Sequence, residues 1–546
     1  MSFSSTDRPN IIATLEKDYF DLVIIGGGIT GAGIALDAAS RGLKVALIEK
    51  GDFAGGTSSK STKLIHGGLR YLKQFEFNLV REVGKERAIV HKLAPHLVRP
   101  EKMLLPLITN GNYGKIITSV GLMVYDVLAN VEKEDQRKML SREETMKLEP
   151  LLKGDVVEGG GLYAEYQTDD FRLVIEIIKA ALDFNAFAIN YMEVDEIMEK
   201  GGMAHGVKCT DRVSGKKVKI YGNYVVNATG PWVDIVRGKS EKIQGKSLHL
   251  TKGIHIVVDH KKLPVKHSVY FDVSDGRMIF AIPKNEVTYI GTTDTNYEGD
   301  PAQVAVNKED VSYIIDAVNH MFPTVALQEK DVVSSWAGIR PLIAEEGKSA
   351  SEISRKDELF IAKNGLISIA GGKLTGYRQM ANKVVTAVLE MKEKKSGITI
   401  KRKCKTKKIL LPGNGFKNYN AVNDYKKELK KGNPDLNPKT INYLVNLYGT
   451  QTNDILNMAK EMEEGSQDYK ILHAEIKYCL ENEMVMSLQD FYVRRTGRLF
   501  FNISSISKTK KEIANIMAKY LQWDKQRITQ ELEQINDLVA STTNFT

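Results

Sequence analysis

The clearest hydrophobic pattern near the start of the chain is a short apolar run, a glycine loop and an alanine-rich stretch. Residues 21–25 (Asp-Leu-Val-Ile-Ile) are mostly apolar and β-branched, which predicts a buried parallel strand. Residues 29–41 have the composition of a buried helix, and Gly42 suits the position just after a helix end. Leu43–Ile48 is a second apolar strand that ends before Glu49. The pattern therefore predicts a complete strand–helix–strand unit.

Beyond this unit the periodicity changes twice along the chain. From about residue 75 to 200 helical patterns dominate, including Phe77–Leu93 and Asp170–Phe184. A helix is also predicted over Tyr377–Met391, and the chain from about residue 415 onward has an almost wholly helical pattern. Short apolar or alternating runs predict strands at Tyr224–Val226, His255–Val258, Met278–Ile282, Thr288–Ile290 and Leu366–Ala370. We therefore expect an antiparallel sheet inserted into the first domain and an all-helical end of the chain.

The length of 546 residues exceeds what one hydrophobic core usually serves, so several domains are expected. We divide the chain into a polar lead-in (1–19), a nucleotide-binding domain with an interleaved substrate domain (20–395), a basic linker (396–414) and a helical domain (415–546). No apolar run reaches the roughly 18 residues of a membrane-spanning helix, and the first residues lack the pattern of an export signal. The apolar segment Ile116–Val131 contains Asp126, and we interpret it as a buried helix rather than an interfacial one.

The net charge is +9, and much of the excess lies between Lys392 and Lys431. No aromatic residues alternate with the basic run 401–408, which argues against nucleic-acid binding and suits a solvated linker. An anionic membrane surface stays open as a partner of these lysines. The chain has three widely spaced cysteines: Cys209, Cys404 and Cys479. This spacing predicts neither disulfides nor a metal site, and a reducing, cytoplasmic compartment fits it.

The loop between the first strand and the first helix has the spacing Gly-x-Gly-x-x-Gly. Gly26 permits the tight turn, Gly28 lets the backbone approach a pyrophosphate, and Gly31 lets helix and strand pack closely. The pyrophosphate is expected at the helix start, beside Ile29 and Thr30, where free N–H groups and the helix dipole favour anions. The loop therefore predicts a bound dinucleotide, although it leaves the identity of that dinucleotide open.

An acidic residue and two later glycine segments select among the dinucleotides. Glu49, followed by Lys50, is placed to accept hydrogen bonds from ribose hydroxyls, and its charge disfavours a 2′-phosphate. Strand-to-glycine segments recur at Gly230 and at Gly372. FAD is long and needs contacts from widely spaced segments, so we expect FAD rather than NAD. The predicted fold class is α/β: a Rossmann-like FAD-binding domain with an inserted antiparallel-sheet substrate domain and an all-helical C-terminal domain.

Residues 56–73 are dense in glycines and small hydroxyl residues, which let the backbone approach a flat ring. Together with later stretches, they resemble the aerobic, FAD-dependent glycerol-3-phosphate dehydrogenases. The helical tail, with Asp490–Thr496, is similar to the C-terminal domain of that family, and the resemblance covers about residues 15–500. The stretches that carry it are Ser61–Tyr71, Asn227–Trp232, Lys252–His255, Gly291–Asp294, Gly338–Leu342 and Gly371–Arg378.

The resemblance implies oxidation of sn-glycerol 3-phosphate to dihydroxyacetone phosphate, reduction of FAD and electron transfer to the membrane quinone pool. It further implies peripheral attachment to the cytoplasmic face of the inner membrane, while a homodimer is left open. One alternative is a glycerol-3-phosphate oxidase that uses oxygen, although the interval from Asp294 to Trp336 leaves little room for the insertion expected of the oxidases. The others are an FAD amine or amino-acid oxidase, and a flavoprotein that acts as a nucleic-acid or membrane scaffold.

This substrate would need a phosphate grip and groups that orient its hydroxyl, and the motifs supply candidates for both. Arg70 and Arg340 are the phosphate candidates, because a guanidinium can hold two phosphate oxygens at once. Lys373 is expected to hold the substrate or to stabilise negative charge on the reduced flavin. Thr375 and Tyr71 are further candidates for substrate contacts.

Two histidines are candidate general bases. His66 and His255 titrate near neutral pH when unperturbed, and each has the alternative of hydrogen-bonding the flavin. With Arg340 and Lys373 they form the predicted catalytic set. The cluster Asp169–Arg172 at a helix start is interpreted as a cap or as a catalytic group. Further cofactor contacts are expected from Thr57, Ser58, Ser61, Thr62, Leu64, His66, Gly230, Gly372, Lys373, Leu374 and Thr375.

Overall fold

The structure is a computed structural model that describes residues 1–66, 77–111, 136–243, 245–344, 357–398 and 402–545. Two predicted features lie outside these residues: Arg70 with Tyr71, and the segment Ile116–Val131. In the described part of the chain, no helix combines the length and the apolar character needed to cross a membrane.

The described strands, numbered in chain order, are β1 (Tyr19–Ile25), β2 (Val45–Ile48), β3 (Leu64–Ile65), β4 (Arg99–Ile108), β5 (Lys138–Ser141), β6 (Val157–Gln167), β7 (Phe187–Ile189), β8 (Met192–Lys200), β9 (Met203–Asp211), β10 (Lys217–Asn227), β11 (Leu248–Asp259), β12 (Ser268–Asp272), β13 (Met278–Lys284), β14 (Val287–Gly291), β15 (Thr295–Asn296), β16 (Val332–Ile343), β17 (Asp357–Ile361) and β18 (Ile367–Gly371). The described α-helices are α1 (Arg8–Lys17), α2 (Ile29–Ser40), α3 (Phe77–Leu93), α4 (Arg142–Leu148), α5 (Asp170–Leu182), α6 (Val233–Gly238), α7 (Lys308–Met321), α8 (Tyr377–Ser396), α9 (Tyr419–Gly432), α10 (Pro438–Tyr448), α11 (Thr452–Lys460), α12 (Gln467–Asn482), α13 (Arg498–Phe501), α14 (Ser504–Leu521) and α15 (Lys525–Ser541).

The first sheet has eight described strands in the order β17–β18–β10–β1–β2–β7, with β9 and β8 continuing from β10. β1 runs parallel to β2 and β10, so that Ile25 lies between Ile48 and Asn227. β10 is also parallel to β18, where Asn227 pairs with Ser368. Because the carboxyl ends of parallel strands share one edge, the loops after β1, β10 and β18 come together there.

The second sheet has ten described strands in the order β15–β11–β14–β13–β12–β4–β6–β3, with β16 added to β11 and β5 to β6. β11 and β16 are antiparallel, which places Gly253 opposite Gly338 and Thr251 opposite Arg340. One set of buried apolar residues joins this sheet to α7. The sheet thereby forms the inserted layer that was predicted from the sequence.

The helices from α9 onward pack directly against the second sheet. Trp336 of β16 and Leu105 of β4 belong to the same hydrophobic core as Tyr492 and Phe500. Between α12 and α13 the chain forms a π-helical turn, Asp490–Arg495. Such turns are frequent at functional sites, and this one faces the nucleotide-binding sheet.

Residues 1–19, expected only as a polar lead-in, contain the ordered helix α1. This helix buries Ile11 and Leu15 and packs against β10 and β7. Just before it, the Ser5 N–H donates to the carbonyl of Leu480 at 2.8 Å. The start of the chain therefore connects the first sheet to the helical domain.

The predicted strand–helix–strand unit is confirmed as β1, α2 and β2, with bounds within two residues of the prediction. The predicted strands after residue 220 are confirmed as well, as parts of β10, β11, β13, β14 and β18. The expectation that helices dominate from about 75 to 200 is wrong, because β4, β6 and β8 lie there. Both faces of β6 are largely buried and three consecutive glycines interrupt it, so it lacks the alternation that marks a half-buried strand.

Candidate active site

A cavity of about 810 Å³ lies where the loops at the carboxyl edge of the first sheet meet the second sheet. Two residues of the helical domain, Gln489 and Arg494, complete its wall. The fold thus brings together segments that are hundreds of residues apart in sequence. The predicted site residues that line the cavity are Gly26, Gly28, Ile29, Thr30, Glu49, Lys50, Thr57, Ser58, Ser61, Thr62, Leu64, His66, Gly230, His255, Arg340, Gly372, Lys373, Leu374 and Thr375.

Gly31 is a predicted cofactor residue that the structure places behind the cavity wall. A Cβ atom on Gly31 would lie 1.8 Å from the carbonyl oxygen of Gly26. Only glycine therefore allows α2 to begin so close to the loop that precedes it. This close packing is the role predicted for the third glycine of the loop.

The start of α2 and the end of β2 form one end of the cavity. The Ile29 N–H donates to the Ser58 hydroxyl at 2.9 Å, which joins the helix start to the next loop. The two oxygens of Glu49 accept from the N–H groups of Gly27 at 2.7 Å and Gly51 at 2.9 Å. Burial raises the pKa of Glu49, although these hydrogen bonds oppose the shift. Each carboxylate oxygen has a second lone pair, so Glu49 can still accept from a ribose hydroxyl.

The loop after β2 is bound along the second sheet by hydrogen bonds. Thr57 donates its hydroxyl to the carbonyl of Ile339 at 2.6 Å. The Trp336 indole N–H donates to the carbonyl of Ser61 at 3.3 Å, and the Tyr289 hydroxyl donates to that of Thr62 at 3.2 Å. The loop therefore has a defined position between the two sheets.

A buried ion pair between Lys63 and Asp170 also fixes the position of the loop after β2. Lys63, whose side chain is 0% exposed, donates from Nζ to Asp170 and to the carbonyl of Ser59, both at 2.8 Å. Ser61 also donates its hydroxyl to Asp170, at 2.6 Å. Of the two roles considered for the Asp169–Arg172 cluster, capping is absent at Asp169, whereas Asp170 accepts from the Phe171 N–H at 2.9 Å. The charged side chains of the cluster also form buried ion pairs with distant segments.

Arg340 lines the cavity where β11 and β16 pair. Its guanidinium donates to Asp294 Oδ1 at 3.1 Å, to the carbonyl of Thr293 at 3.1 Å and to the Thr292 hydroxyl at 2.8 Å. A Cβ atom on Gly253 would come within 2.4 Å of this guanidinium. The glycine therefore makes the space in which Arg340 lies flat across the strand pair.

His255 is buried beside this guanidinium. Its ring stacks on Trp336 with centroids 4.7 Å apart, and its Nε2 lies 3.1 Å from the Thr62 hydroxyl. Burial, and secondarily the charges of Arg340 and Lys63, hold the pKa of His255 well below its ordinary value. The imidazole is therefore neutral at neutral pH.

His66 and the segment after β18 also line the cavity. The ring of His66 lies edge-on to that of Phe280, with centroids 6.2 Å apart. The Thr375 hydroxyl donates to the His66 carbonyl at 3.4 Å. Lys373 precedes the short 3₁₀ turn that bears Thr375. The structure thereby places the predicted catalytic residues along a single cavity.

Two cationic residues of the cavity wall, Lys60 and Arg494, were not predicted from the sequence. Lys60 lines the cavity, and burial together with Arg494 lowers its pKa to about 8. Arg494 donates to Asp52 at 2.7 Å and to Asp490 at 2.8 Å. Lys50, predicted as a cofactor contact, lies 4.0 Å from the ring centroid of Trp232. No local pattern indicates that Arg494 reaches this cavity, because its position depends on the packing of the helical domain.

The cavity has the features that a long dinucleotide requires. A Cβ atom on Gly28 would meet only the Ser58 hydroxyl within 4 Å, and one on Gly230 would meet nothing. At both positions the chain therefore presents bare backbone to the cavity, beside the start of α2. Glu49 can accept from a ribose, and the free N–H groups at the start of α2 suit a pyrophosphate. The residues present thus fit FAD.

This fold and this cavity define the class of oxidoreductases that bind a dinucleotide across a parallel sheet. The family model described as "FAD dependent oxidoreductase" matches residues 21–378, and that of the "C-terminal domain of alpha-glycerophosphate oxidase" matches residues 404–528. The chain is 48% identical to the "Aerobic glycerol-3-phosphate dehydrogenase" of Bacillus subtilis (strain 168) over 98% of both chains.

Solved structures show the same relationship. A glycerol-3-phosphate dehydrogenase from Bacillus halodurans, complexed with FAD, superposes with a TM-score of 0.85 and 40% identity over 99% of each chain. An L-alpha-glycerophosphate oxidase from Mycoplasma pneumoniae superposes with a TM-score of 0.55 and 19% identity, covering 68% of this chain and 95% of the other, and shows the shared fold alone. The chain belongs to the FAD-dependent oxidoreductases and, within them, to the family of the aerobic glycerol-3-phosphate dehydrogenases.

Proposed function

We propose that this chain oxidises sn-glycerol 3-phosphate to dihydroxyacetone phosphate and passes the electrons to a membrane quinone. The observation that carries the proposal is a sequence identity of 48%, over 98% of both chains, to a relative named for this dehydrogenase activity. FAD, when bound, supplies the acceptor for the hydride that leaves C2 of the substrate. The protein must then grip the phosphate, orient C2 and take the hydroxyl proton.

The phosphate grip is assigned to Arg340 and Lys373. Both line the cavity, and the side chain of Arg340 is 19% exposed, so that its guanidinium is accessible from the cavity. A guanidinium fork and an ammonium together complement a phosphate dianion. Arg70 and Tyr71, outside the described residues, stay candidates for the same grip, and Thr375 for a contact with the substrate hydroxyl.

The proton acceptor is assigned to His66, with His255 as a neutral hydrogen-bonding partner. Protonation of His255 would place a buried positive charge beside Arg340 and Lys63, which its lowered pKa reflects. His66 is only partly buried and lines the same cavity. An imidazole in that setting can take the hydroxyl proton and release it toward water.

We propose that the protein attaches peripherally to the cytoplasmic face of the inner membrane, where the reduced flavin can pass electrons to a quinone. We leave open whether it forms a homodimer. We also propose the domain limits 20–395 for the FAD-binding and substrate domains and 415–546 for the helical domain. An oxygen-using oxidase and an amine or amino-acid oxidase are the competing functions.

Anaerobic titration of the flavin tests this proposal directly. We expect glycerol 3-phosphate to bleach the flavin absorption and glycine or sarcosine to leave it unchanged. A soluble quinone should then restore the absorption faster than oxygen does. Bleaching by glycine or sarcosine alone would support the amine-oxidase alternative, and faster reoxidation by oxygen would support the oxidase.

Variants of the two histidines separate their roles. His66→Ala is expected to slow flavin reduction about 100-fold and to flatten its pH dependence, because a general base contributes roughly that factor. His255→Ala should change the flavin spectrum and slow reduction while keeping the pH dependence. Reduction of the His66→Ala flavin at the parental rate would exclude the base role for His66.

A further inference from the structure

A second cavity lies on the helical domain, and none of its described lining residues lines the active-site cavity. Its volume is about 640 Å³. All but one of its lining residues come from α9 and α10, and Asn285 comes from the turn between β13 and β14. The nine lining residues are all polar: Asn285, Asn420, Asn423, Asp424, Lys426, Lys427, Lys430, Asn442 and Asn446.

The five asparagines of this cavity have hydrogen-bonding capacity that the protein does not use. Their side-chain amides make no hydrogen bond to any other residue in the described ranges. For Asn446 the amide oxygen is also fully buried. Asn285 and Asn420 are exposed and the other three asparagines are partly buried, so their amides are available to a polar group that enters the cavity.

Lys426 adds a buried positive charge to the same wall. Its side chain is only 8% exposed, and in the described part of the chain no carboxylate forms an ion pair with it. Burial, and secondarily the positive charges of Arg99 and Lys430, lower the pKa of Lys426 to about 8. The centroid of the Tyr419 ring lies 5.5 Å from Nζ, and this contact offsets only part of the cost of burying the charge.

The charged residues around this cavity do not neutralise Lys426 and Lys430. Asp424 is paired with the exposed Lys427 at 2.9 Å. Lys430, like Lys426, has no ion-pair partner among the described residues. A buried cation without a counter-charge is costly, so an external anion would stabilise this arrangement.

We propose that this cavity is a second binding site, for an oxyanion of the phosphate class. The ammonium groups of Lys426 and Lys430 and the amide N–H groups of the asparagines complement phosphate oxygens. The amide carbonyls can accept from hydroxyl groups next to the phosphate. A soluble phosphorylated polyol and a glycerol-phosphate lipid headgroup share this chemistry. The proposal does not depend on the activity assigned above.

Calorimetric titration of the FAD-loaded, full-length protein with inorganic phosphate tests the site. We expect Lys426→Gln to weaken one class of phosphate sites about tenfold or more, the effect of losing one charge-assisted hydrogen bond. Flavin reduction should be unchanged in this variant. The matched control is Lys431→Gln, an exposed position on α9 that does not line the cavity and should bind phosphate within about twofold of the parent.

The stability of the same variants checks that the effect is local. Removal of an unpaired buried cation should leave the melting temperature in chloride unchanged or higher, whereas the added stabilisation by phosphate should shrink. If Lys426→Gln folds poorly, Lys430→Gln provides the same comparison from a partly exposed position. Phosphate binding that matches the parent in both variants overturns the proposal.

Vesicles distinguish the two sources of the anion. Co-sedimentation would compare phosphatidylglycerol vesicles with phosphatidylcholine vesicles for the parent, Lys426→Gln and Lys431→Gln. Loss of both phosphate binding and phosphatidylglycerol binding in Lys426→Gln assigns the site to a lipid headgroup. Loss of phosphate binding alone assigns it to a soluble phosphate, and loss of neither rejects the site.

Discussion

At the scale of single residues, the neighbours of Arg340 decide what its charge can do. Its guanidinium is oriented by Asp294, Thr292 and Thr293, so it faces the cavity in one geometry. An isolated surface arginine would lose conformational entropy on gripping a phosphate, whereas this one is already ordered. The hydrogen bonds to these three residues therefore hold the Arg340 guanidinium in an orientation that suits phosphate binding.

Arg340→Lys is expected to lower kcat/KM for glycerol 3-phosphate about 100-fold, because an ammonium cannot replace the fork of a guanidinium. Steady-state kinetics on flavin-loaded protein would measure this. Arg277→Lys is the matched control, since Arg277 lines the same cavity but is paired with Asp275 at its exposed rim. Equal effects of the two substitutions would remove Arg340 from the phosphate site.

His96 predicts a pH dependence of stability. Neither ring nitrogen of this fully buried side chain has a hydrogen-bond partner among the described residues, and burial together with Arg172 and Arg99 lowers its pKa to about 3. The unfolded chain takes up a proton below about pH 6.5 and the folded chain does not, so stability is full above that pH and falls as the pH falls.

The size of this effect follows from the separation of the two pKa values. Between about pH 7 and pH 5 the wild type should lose about 2 kcal/mol more than His96→Leu. Urea denaturation at both pH values measures the difference. The exposed His320, replaced by leucine, serves as the control and should keep the acid-dependent loss of the wild type.

At the scale of elements, the register of the strand pair β11–β16 shapes the part of the cavity where Arg340 lies. Gly253 lies opposite Gly338, and each glycine makes room for a group from elsewhere. A Cβ on Gly253 would collide with the Arg340 guanidinium, and one on Gly338 would lie 2.5 Å from the carbonyl of Lys60. The register thus sets the position of Arg340 and lets the loop after β2 pack closely against β16 at Lys60.

Gly253→Ala tests the importance of this register. The added methyl group must displace the Arg340 guanidinium, so we expect kcat/KM to fall at least about tenfold while the flavin stays bound. A Cβ on Gly238 would meet nothing within 4 Å, so Gly238→Ala is a control that should keep parental kinetics. A Gly253→Ala enzyme with unchanged kcat/KM would contradict the proposed role of Arg340.

At the scale of the whole molecule, the helical domain supplies part of the cavity wall through Gln489 and Arg494. Asp52, three residues after Glu49, accepts hydrogen bonds from both Arg494 and Arg495 of the π-helical turn. Arg494 lines the cavity itself. The domain therefore determines the shape of the loop that carries the proposed ribose acceptor.

Arg494→Gln is expected to weaken FAD binding about tenfold or more, because a cation of the cavity wall and its hydrogen bond to Asp52 are lost. Arg495 still neutralises Asp52, so the fold should persist. Reconstitution of the apoprotein with FAD measures the dissociation constant. The control is Arg498→Gln, which removes a buried partner of Glu475 outside the cavity and should affect stability but not FAD affinity.

Many of the elements and site residues of this protein can be predicted from local patterns in its sequence. The strand–helix–strand unit, the glycine loop and the inserted sheet were predicted because short-range periodicity and backbone requirements are encoded within a few neighbouring residues. Most of the predicted site residues also came from such motifs, and those described line the cavity, apart from Gly31. The strands β4 and β6 were missed because burial on both faces removes their alternation.

Local sequence patterns suffice for the dinucleotide loop, for the chemical types at the site and for the family resemblance. The packed fold sets the rest: the buried ion pairs of Asp169 and Asp170, the orientation of Arg340 over Gly253, and the contribution of Lys60 and Arg494 to the cavity wall. The physical reason is that an ion pair or a shared wall depends on which distant surfaces pack together. Hydrophobic burial of whole elements sets that packing, and no short window of sequence contains it.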